Sequence, residues 1–274
     1  MSKQARLTRT TPPSLLRRKG GDKIVCLTAY TAPMAQLLDS YCDILLVGDS
    51  LGMVVHGLPT TVGVTLEMMI LHGRAVVRGS SQAMVAVDLP FGSYERSPEQ
   101  AFDAASRLLA ETGAQAVKVE AAQGVAESIA FLTGRGIPVI GHVGLRPQAV
   151  HLDGGFKARG RTDVERDRVL AEARATDEAG AMAMVVEGVT PELAADITAA
   201  VACPTIGIGA SNACDGQILV TEDMLGLFDW TPKFVRRYAD LRGTITAAIA
   251  AYASDVKAGT FPAEAEEYRL GARA

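Results

Sequence analysis

Hydrophobic residues in this chain gather in short continuous runs, and each run is followed by a stretch whose apolar residues recur at helical spacing. Runs that are continuously apolar rather than alternating are typical of strands buried on both faces, as in a parallel sheet. The runs that predict strands are residues 24–27, 44–47, 84–87, 116–119, 138–140, 184–186 and 205–208. A final strand is predicted near residues 233–235.

Helix signals occupy the segments between the runs. Residues 97–100 (Ser-Pro-Glu-Gln) predict a capping box with proline at the first helical position, and Gly113 supplies a stop signal. Thr190 and Pro191 open another helix in the same way, and residues 169–180 predict a charged, alanine-rich helix. Strand and helix therefore alternate along most of the chain.

This alternation predicts an α/β protein of the (β/α)8 TIM-barrel type, because seven or eight strands with intervening helices fill about 250 residues. The alternative is an open doubly wound sheet, which usually carries a G-x-G-x-x-G motif after its first strand. Here the first run ends in Thr28, Ala29 and Tyr30 instead. Without a break in composition, residues 1–274 are expected to form one barrel domain, with a short arm over about 1–20 and a C-terminal helix over about 240–258.

Composition narrows the classes of partner. Aromatic residues make up 5% of the chain and the formal net charge is −4, so neither a base-stacking surface nor a basic field for nucleic acid is expected. The sequence contains no run of about 18 apolar residues, so no membrane span is predicted. The four cysteines form no CxxC pair, which favours reduced thiols and a cytoplasmic protein.

The start of the chain is basic and holds no acidic residue before Asp22. Such a stretch is compatible with a transit peptide. Pro12 and Pro13 interrupt it, and its apolar residues follow no amphipathic pattern, which favours a solvated arm that leads into a short helix.

Polar side chains stand where the predicted strands end, which is where barrel enzymes carry their chemistry. These residues are Asp49, Ser50, Asp88, Lys118, Glu120, His142 and Glu187. A single carboxylate at such a position is about as often a helix cap or an ion-pair partner as it is a functional group. Four carboxylates on successive strands are harder to explain in that way, since like charges held close together need a counter-charge. His142 is either a substrate contact or a hydrogen-bonded structural residue, and Ser50 either contacts a substrate carboxylate or caps the next segment.

An all-oxygen set of ligands favours a hard cation such as Mg²⁺. Asp49, Asp88 and Glu120 are the candidate metal residues, which leaves Glu187 as the candidate for proton transfer. Mg²⁺ can polarise the carbonyl of a 2-oxo acid, and a carboxylate can then remove the neighbouring proton. The residues therefore predict enolate chemistry on a keto acid.

Two glycine-rich loops accompany this set. Residues 206–212 lack the third glycine of the dinucleotide motif and are interpreted as a tight loop that borders a ligand. Residues 154–157 (Gly-Gly-Phe-Lys) are interpreted as a mobile cover over the mouth of the barrel.

Taken together, these motifs resemble the ketopantoate hydroxymethyltransferase family. The matching segments run in family order between about residues 20 and 240: 27–30 (Leu-Thr-Ala-Tyr), 46–52 (Leu-Val-Gly-Asp-Ser-Leu-Gly), 88–91 (Asp-Leu-Pro-Phe), 117–120 (Val-Lys-Val-Glu), 141–145 (Gly-His-Val-Gly-Leu), 154–157, 206–210 (Ile-Gly-Ile-Gly-Ala) and 215–217 (Asp-Gly-Gln). The resemblance implies a Mg²⁺-dependent enzyme with a phosphoenolpyruvate/pyruvate-type barrel. It implies transfer of a hydroxymethyl group from 5,10-methylenetetrahydrofolate to 3-methyl-2-oxobutanoate (α-ketoisovalerate), giving 2-dehydropantoate and tetrahydrofolate in pantothenate and coenzyme A synthesis.

The resemblance also implies roles for individual residues. Asp49 and Asp88 match the metal ligands of the family, with Glu120 completing the metal site, and Glu187 matches its proton acceptor. The keto-acid contacts of the family match Asp49, Ser50, Asp88 and Lys118. One Mg²⁺ per subunit and a cytoplasmic homo-oligomer, commonly a decamer, are expected on the same basis.

The chain departs from the family pattern at Thr31, Arg146, Thr190 and Ser211, where Asp, Thr, Pro and Gly are usual. Two alternative functions remain open. Another Mg²⁺-dependent lyase or mutase of the superfamily would carry a Lys-Cys-Gly-His-type loop, which is not found here. A non-catalytic oligomeric barrel would lose the set of carboxylates, which this chain retains.

Overall fold

Eight parallel strands form a closed barrel in the computed structural model, which describes residues 9–268. Each strand pairs with the next one along the chain, and β1 pairs with β8. The strands are β1 Ile24–Thr28, β2 Ile44–Val47, β3 Met84–Asp88, β4 Ala116–Glu120, β5 Val139–Gly144, β6 Ala183–Glu187, β7 Thr205–Ile208 and β8 Gly216–Leu219. The predicted fold class is confirmed.

Helices connect the strands in the expected alternation. They are α1 Pro12–Leu16, α2 Ala32–Leu38, α3 Leu51–Val54, α4 Leu66–Gly79, α5 Pro98–Thr112, α6 Val125–Thr133, α7 Val150–Asp153, α8 Asp163–Glu178, α9 Pro191–Ala200, α10 Thr221–Met224 and α11 Leu241–Ala258. Single 3₁₀ turns span Thr61–Gly63, Pro147–Ala149 and Glu264–Glu266. Within residues 9–268, no helix is both long enough and apolar enough to cross a membrane.

The chain forms two compact units, Met1–Thr221 and Glu222–Ala274, and all eight strands lie in the first. The second unit contains α11, whose residues are largely exposed. Asp240 caps this helix by accepting the N–H of Gly243 at 3.0 Å. That all of residues 1–274 form one domain stays a prediction.

The predicted strand near residues 233–235 is wrong. Those residues lie in a turn of the second unit, where the Val235 N–H donates to the Pro232 carbonyl at 2.9 Å. The eighth strand is β8, in which Gln217 is exposed between buried neighbours. A side chain at Gly216 would place its Cβ 2.4 Å from the Ile24 carbonyl oxygen, so the contact with β1 requires glycine. Gly216 and Gln217 leave β8 without the continuous apolar run by which the other strands are predicted.

Two helix predictions are refined. Ser97 Oγ accepts the Gln100 N–H at 3.2 Å, whereas the Gln100 side chain accepts from Arg96 rather than from Ser97, so only half of the capping box forms. Gly113 ends α5 in the left-handed region, with φ of 77°. Helix α8 begins at Asp163, ahead of the predicted start, because Thr162 caps it and its first turn is too charged to show an apolar pattern.

Residues 9–20 correct the expectation of a solvated arm. The short helix exists as α1, but its Leu15 is 0% exposed and belongs to the apolar cluster inside the barrel, together with Ile24 and Ile218. Arg9 donates to the carbonyl oxygens of Val77, Ser80 and Ala83. The described part of the arm therefore closes the N-terminal end of the barrel.

Aspartates bind backbone N–H groups at that same end. Asp39 accepts from Ser81, Gln82 and Ala83, just ahead of β3, at 2.7–3.0 Å. Three others have the same role: Asp43 accepts from Val25, Asp177 from Ala202 and Cys203, and Asp215 from Gly20 and Thr205. These bonds satisfy backbone donors that lie ahead of the strands or in their first residues.

Candidate active site

The predicted polar residues lie together at the C-terminal ends of β2 to β6. Asp49 follows β2, Asp88 ends β3, Lys118 and Glu120 lie on β4, and His142 and Glu187 lie on β5 and β6. The strand registers pair Asp88 with Lys118 and Glu120 with His142, so adjacent strands carry adjacent functional groups. Asp49, Asp88, Lys118, Glu120 and His142 are all buried, and Glu187 is partly exposed.

Asp88 is held through one of its two oxygens. Its Oδ2 lies 3.0 Å from the Lys118 ammonium and also accepts the Asp49 N–H at 3.0 Å. The other oxygen, Oδ1, is buried and has no hydrogen-bond partner among the described residues. A buried carboxylate oxygen without a donor costs free energy, so this atom is available to a ligand.

The charges at this site are out of balance. Burial and the neighbouring Asp88 charge raise the pKa of Asp49 to about 7, although Lys118 opposes this shift. Burial also raises the pKa of Glu120, again against the effect of Lys118. Burial alone would lower the pKa of Lys118, but the charges of Asp88, Asp49 and Glu120 outweigh it and the pKa is raised. One ammonium serves three carboxylates, so a further cation would stabilise the set.

Gln148 and Tyr94 complete this part of the site, and the sequence does not single them out. The Gln148 side chain donates to Asp49 Oδ2 at 2.8 Å and to the Leu89 carbonyl at 2.9 Å. The Tyr94 hydroxyl donates to Gln148 Oε1 at 2.7 Å and accepts the Glu120 N–H at 3.2 Å. Neither residue ends a strand, and neither carries charge, so a search of strand ends for acids and bases passes over both.

His142 lies between Glu187 and Lys118. Its Nε2 is 2.9 Å from the Leu145 carbonyl oxygen and 3.3 Å from Glu187 Oε2, and its Nδ1 is 3.4 Å from Lys118 Nζ. Because a carbonyl only accepts, we assign the proton to Nε2. His142 is thus hydrogen-bonded to the Leu145 carbonyl and lies next to the Glu187 carboxylate, while its contact with substrate stays a prediction.

Ser50 does not cap helix α3, which it precedes, because its side chain makes no capping hydrogen bond. Its Oγ lies 2.8 Å from the Tyr30 hydroxyl, which is supplied by the segment after β1. A hydroxyl pair beside Asp49 can accept from or donate to a ligand oxygen. The predicted role of Ser50 in substrate binding is therefore still a prediction, although its alternative role as a cap is wrong.

The loop after β7 fits the interpretation as a tight turn, since Gly209 adopts a φ of 56°. The loop after β5 contains Gly154 and Gly155, both with positive φ, followed by the half-exposed Phe156. Its mobility as a cover stays a prediction.

The protein side chains supply only part of a metal coordination shell, so water or substrate oxygens would have to complete it. Within residues 9–268, no three His, Cys, Asp or Glu side chains are grouped so that they could hold an ion alone. Mg²⁺ usually takes one or two protein carboxylates and completes its shell with water and substrate oxygens. Asp49 and the unpartnered Oδ1 of Asp88 suit that arrangement, whereas both oxygens of Glu120 lie 3.2–3.3 Å from the Gln148 N–H.

Comparison with known proteins gives consistent results. A family model described as Ketopantoate hydroxymethyltransferase matches residues 9–264. A protein of Phenylobacterium zucineum named 3-methyl-2-oxobutanoate hydroxymethyltransferase is 67% identical over 266 residues, which cover 97% of each chain. A protein of the same name from Hyphomonas neptunium is 66% identical over 270 residues, which cover 98% of each chain.

Solved structures support the fold alone, because their sequence identity to this chain is low. A 2,3-dimethylmalate lyase, described as a PEP mutase/isocitrate lyase superfamily member, superposes with a TM-score of 0.59 at 17% identity. A phosphoenolpyruvate phosphomutase from Streptomyces platensis gives 0.61 at 14% identity. Each alignment covers 95% of this chain and 92% of the other.

Proposed function

This chain belongs to the ketopantoate hydroxymethyltransferase family, and from that premise we propose that it transfers a hydroxymethyl group to 3-methyl-2-oxobutanoate in pantothenate synthesis. The product is 2-dehydropantoate. The observation that carries the proposal is the unpartnered Oδ1 of Asp88 beside Asp49 and Lys118. A buried, charged group that leaves one oxygen free is suited to a bound ligand rather than to structural pairing alone.

The same proposal includes two co-reactants. 5,10-Methylenetetrahydrofolate supplies the one-carbon unit and leaves as tetrahydrofolate. One Mg²⁺ per subunit would be held by Asp49 and Asp88, with Glu120 next to them, and the imbalance of three carboxylates around one ammonium supports it. Bound there, Mg²⁺ would polarise the 2-oxo group and stabilise negative charge that develops on its oxygen.

Lys118 and Glu187 perform the remaining steps in this mechanism. The Lys118 ammonium, fixed against Asp88, offers its positive charge to the anionic keto acid and to the developing enolate oxygen. Glu187 takes the proton from C3, and the C–H bonding electrons form the enolate double bond. The His142 Nε2 lies 3.3 Å from Glu187 Oε2, so the imidazole is next to the proposed base before substrate arrives. The enolate carbon then bonds to the methylene carbon of the folate as one of the two C–N bonds of that carbon breaks. Water displaces the second nitrogen and leaves its hydroxyl group on the transferred carbon. The proton from C3 and the proton from water go to the two folate nitrogens, which gives tetrahydrofolate.

The test follows deuterium exchange at C3 of 3-methyl-2-oxobutanoate and then folate-dependent product formation. We expect Mg²⁺-dependent exchange in the wild type. Glu187→Gln should slow exchange by about 10²–10⁴-fold, because the amide cannot accept the proton, while keto-acid binding persists. Glu192→Gln, at an exposed position in the first turn of α9, is the matched control and should exchange at the wild-type rate.

Each result separates one part of the proposal from another. Wild-type exchange rates in Glu187→Gln would remove Glu187 as the base. Exchange without folate-dependent product would point to a different enzyme of 2-oxo acids. Absence of both, with Mg²⁺ and with chelator, would overturn the proposed function.

The same proposal covers the assembly and location of the protein. We expect a homo-oligomer, specifically a homodecamer, in the cytoplasm, without nucleic-acid or membrane partners. Two features support it. Ile245, Ile249, Tyr252 and Val256 are exposed at helical spacing along one side of α11, as expected for a face that packs against another copy. All four cysteines are free and buried, which fits a reducing compartment.

A further inference from the structure

We infer that Gln148 is a positioning residue for the proposed reaction, which sets the orientation of the Asp49 carboxylate so that its Oδ1 is left for the ligand. The inference rests on the proposed function for the identity of the reaction, but its geometry stands on its own. Gln148 is 6% exposed, lies in the 3₁₀ turn after β5, and forms hydrogen bonds with residues just after β2 and β3 and with Glu120 on β4.

The side-chain amide of Gln148 and its backbone N–H all form hydrogen bonds at the site. Its side-chain NH₂ donates both to Asp49 Oδ2 and to the Leu89 carbonyl, and its Oε1 accepts from the Tyr94 hydroxyl. Its backbone N–H donates to the Glu120 carboxylate at 3.2 and 3.3 Å. One residue therefore contacts two carboxylates of the site, which lie on different strands of the barrel.

The hydrogen bonds also fix which oxygen each aspartate leaves for a ligand. Gln148 engages Oδ2 of Asp49, and among the described residues no hydrogen-bond donor reaches Oδ1 of that carboxylate. Asp88 shows the same pattern, since Lys118 and the Asp49 N–H both engage its Oδ2. The Asp49 N–H couples the two residues directly, so a change in the segment that carries Asp49 reaches Asp88 as well.

The chemistry required of position 148 is narrow. The side chain must donate two hydrogen bonds and accept one, which an amide does and a carboxylate does not. Glutamate in this place has the same shape but would present negative charge to Asp49. The local backbone supports the placement, because Pro147 begins the turn and the Arg146 side chain donates to the Ala121 carbonyl at 3.0 Å.

The experiment measures Mg²⁺ affinity by calorimetry on protein that holds neither keto acid nor folate, together with kcat, KM and the unfolding temperature. We expect Gln148→Glu to weaken Mg²⁺ binding by roughly 10–100-fold, the usual effect of losing a residue that orients a ligand carboxylate. The kcat should fall more than the KM rises, because the misdirected carboxylate affects the reacting end of the substrate.

Gln115→Glu is the matched control. Gln115 lies at the opposite end of β4, where its Oε1 accepts the Val85 N–H at 2.8 Å and its Nε2 donates to the Gly113 carbonyl at 2.7 Å. The exchange removes the same kind of donor and adds the same charge, but far from the carboxylates. We expect unchanged Mg²⁺ affinity in this variant, whatever happens to its unfolding temperature.

Tyr94→Phe keeps the inference testable where Gln148→Glu does not fold. It removes the donor to Gln148 Oε1 with little change in volume, and we expect a smaller loss of Mg²⁺ affinity of about 2–10-fold. Wild-type Mg²⁺ affinity in folded Gln148→Glu, or in Tyr94→Phe where only that variant folds, would overturn the inference. Wild-type protein that binds Mg²⁺ but gives neither exchange nor product would instead contradict the proposed function and leave the positioning role standing.

Discussion

At the scale of single residues, carboxylates at the two ends of the barrel have opposite surroundings. Burial tends to raise the pKa of Asp39, but hydrogen bonds from the Ala83, Gln82 and Ser81 N–H groups outweigh burial and the pKa is lowered. At the other end, burial and the charge of Asp88 raise the pKa of Asp49 to about 7. Hydrogen-bond donors therefore stabilise the ionised form of Asp39, which supports the fold. At Asp49 the ionised form is destabilised, and a bound cation would stabilise it.

Asp39→Asn should lower the free energy of unfolding by about 1–3 kcal/mol at pH 7, because an amide oxygen replaces a charged acceptor of backbone N–H groups. The contribution of the ionised carboxylate is fully present above the unfolded-state pKa of about 3.9 and is lost as pH falls through the lower folded-state value. Urea unfolding at matched protein concentration should therefore show a difference from wild type that shrinks below about pH 4.

The control for this measurement is Asp22→Asn, at an exposed position whose side chain forms no hydrogen bond within the described residues. Asp22→Asn should leave the midpoint of urea unfolding unchanged at pH 7 and at pH 3. An Asp39→Asn difference that persists undiminished at pH 3 would contradict the assignment to the carboxylate charge.

The sequence identifies the charged site residues because each occupies a recognisable place. Asp88 and Glu187 directly follow apolar runs, and Lys118 interrupts one near its end, so parallel strands bring these residues to the same end of the barrel. Gln148 contacts Asp49 across 99 positions of sequence and sits in a loop, where no periodic pattern marks it. Its role depends on the three-dimensional path of the loop after β5, which a linear pattern does not contain.

At the scale of elements, the apolar runs predict seven strands, and they fail where backbone contact replaces side-chain packing. Gly216 in β8 lies against the Ile24 carbonyl, so that the strand shows no apolar signal there. A second close approach lies between α2 and α4. A Cβ at Gly79 would stand 2.3 Å from the Ala32 carbonyl oxygen and 2.7 Å from its Cα.

Gly79→Ala should therefore destabilise the protein by roughly 1–3 kcal/mol, because backbone atoms cannot move aside as a flexible side chain can. The midpoint of urea unfolding at pH 7 measures this cost. Gly21→Ala is the matched control, since its Cβ would meet nothing closer than 3.6 Å and its φ is not positive. Equal midpoints for the two variants would contradict the packing argument.

At the scale of the whole molecule, the alternation of strand and helix predicts the closed barrel, because that topology buries every strand on both faces. The exposed side of α11 shows a different limit of sequence reasoning. The sequence predicts the helix, but it does not show which surface the apolar residues of that helix face. Only structure shows that they remain exposed within their own unit.

Ile249→Lys should reduce the mass of the proposed assembly in solution, because a charge replaces the most exposed isoleucine of the α11 stripe. Analytical ultracentrifugation measures the effect. Ser254→Lys adds the same charge about 140° around the helix from Ile249, on the side away from the stripe, and should leave the mass unchanged. An assembly unaffected by Ile249→Lys would exclude this stripe as the interface.

The buried position of Leu15 has a consequence for the order in which parts of the chain fold during translation. This residue is translated before all eight strands, yet the apolar cluster to which it belongs includes Ile140, Ile206 and, on β8, Ile218. The segment that closes the N-terminal end must therefore wait, with its apolar side chain exposed, until some 200 further residues have been translated. The N-terminal end of the barrel is thus closed late in folding by a segment that is translated before all eight strands, and apolar side chains left exposed during such an interval favour aggregation.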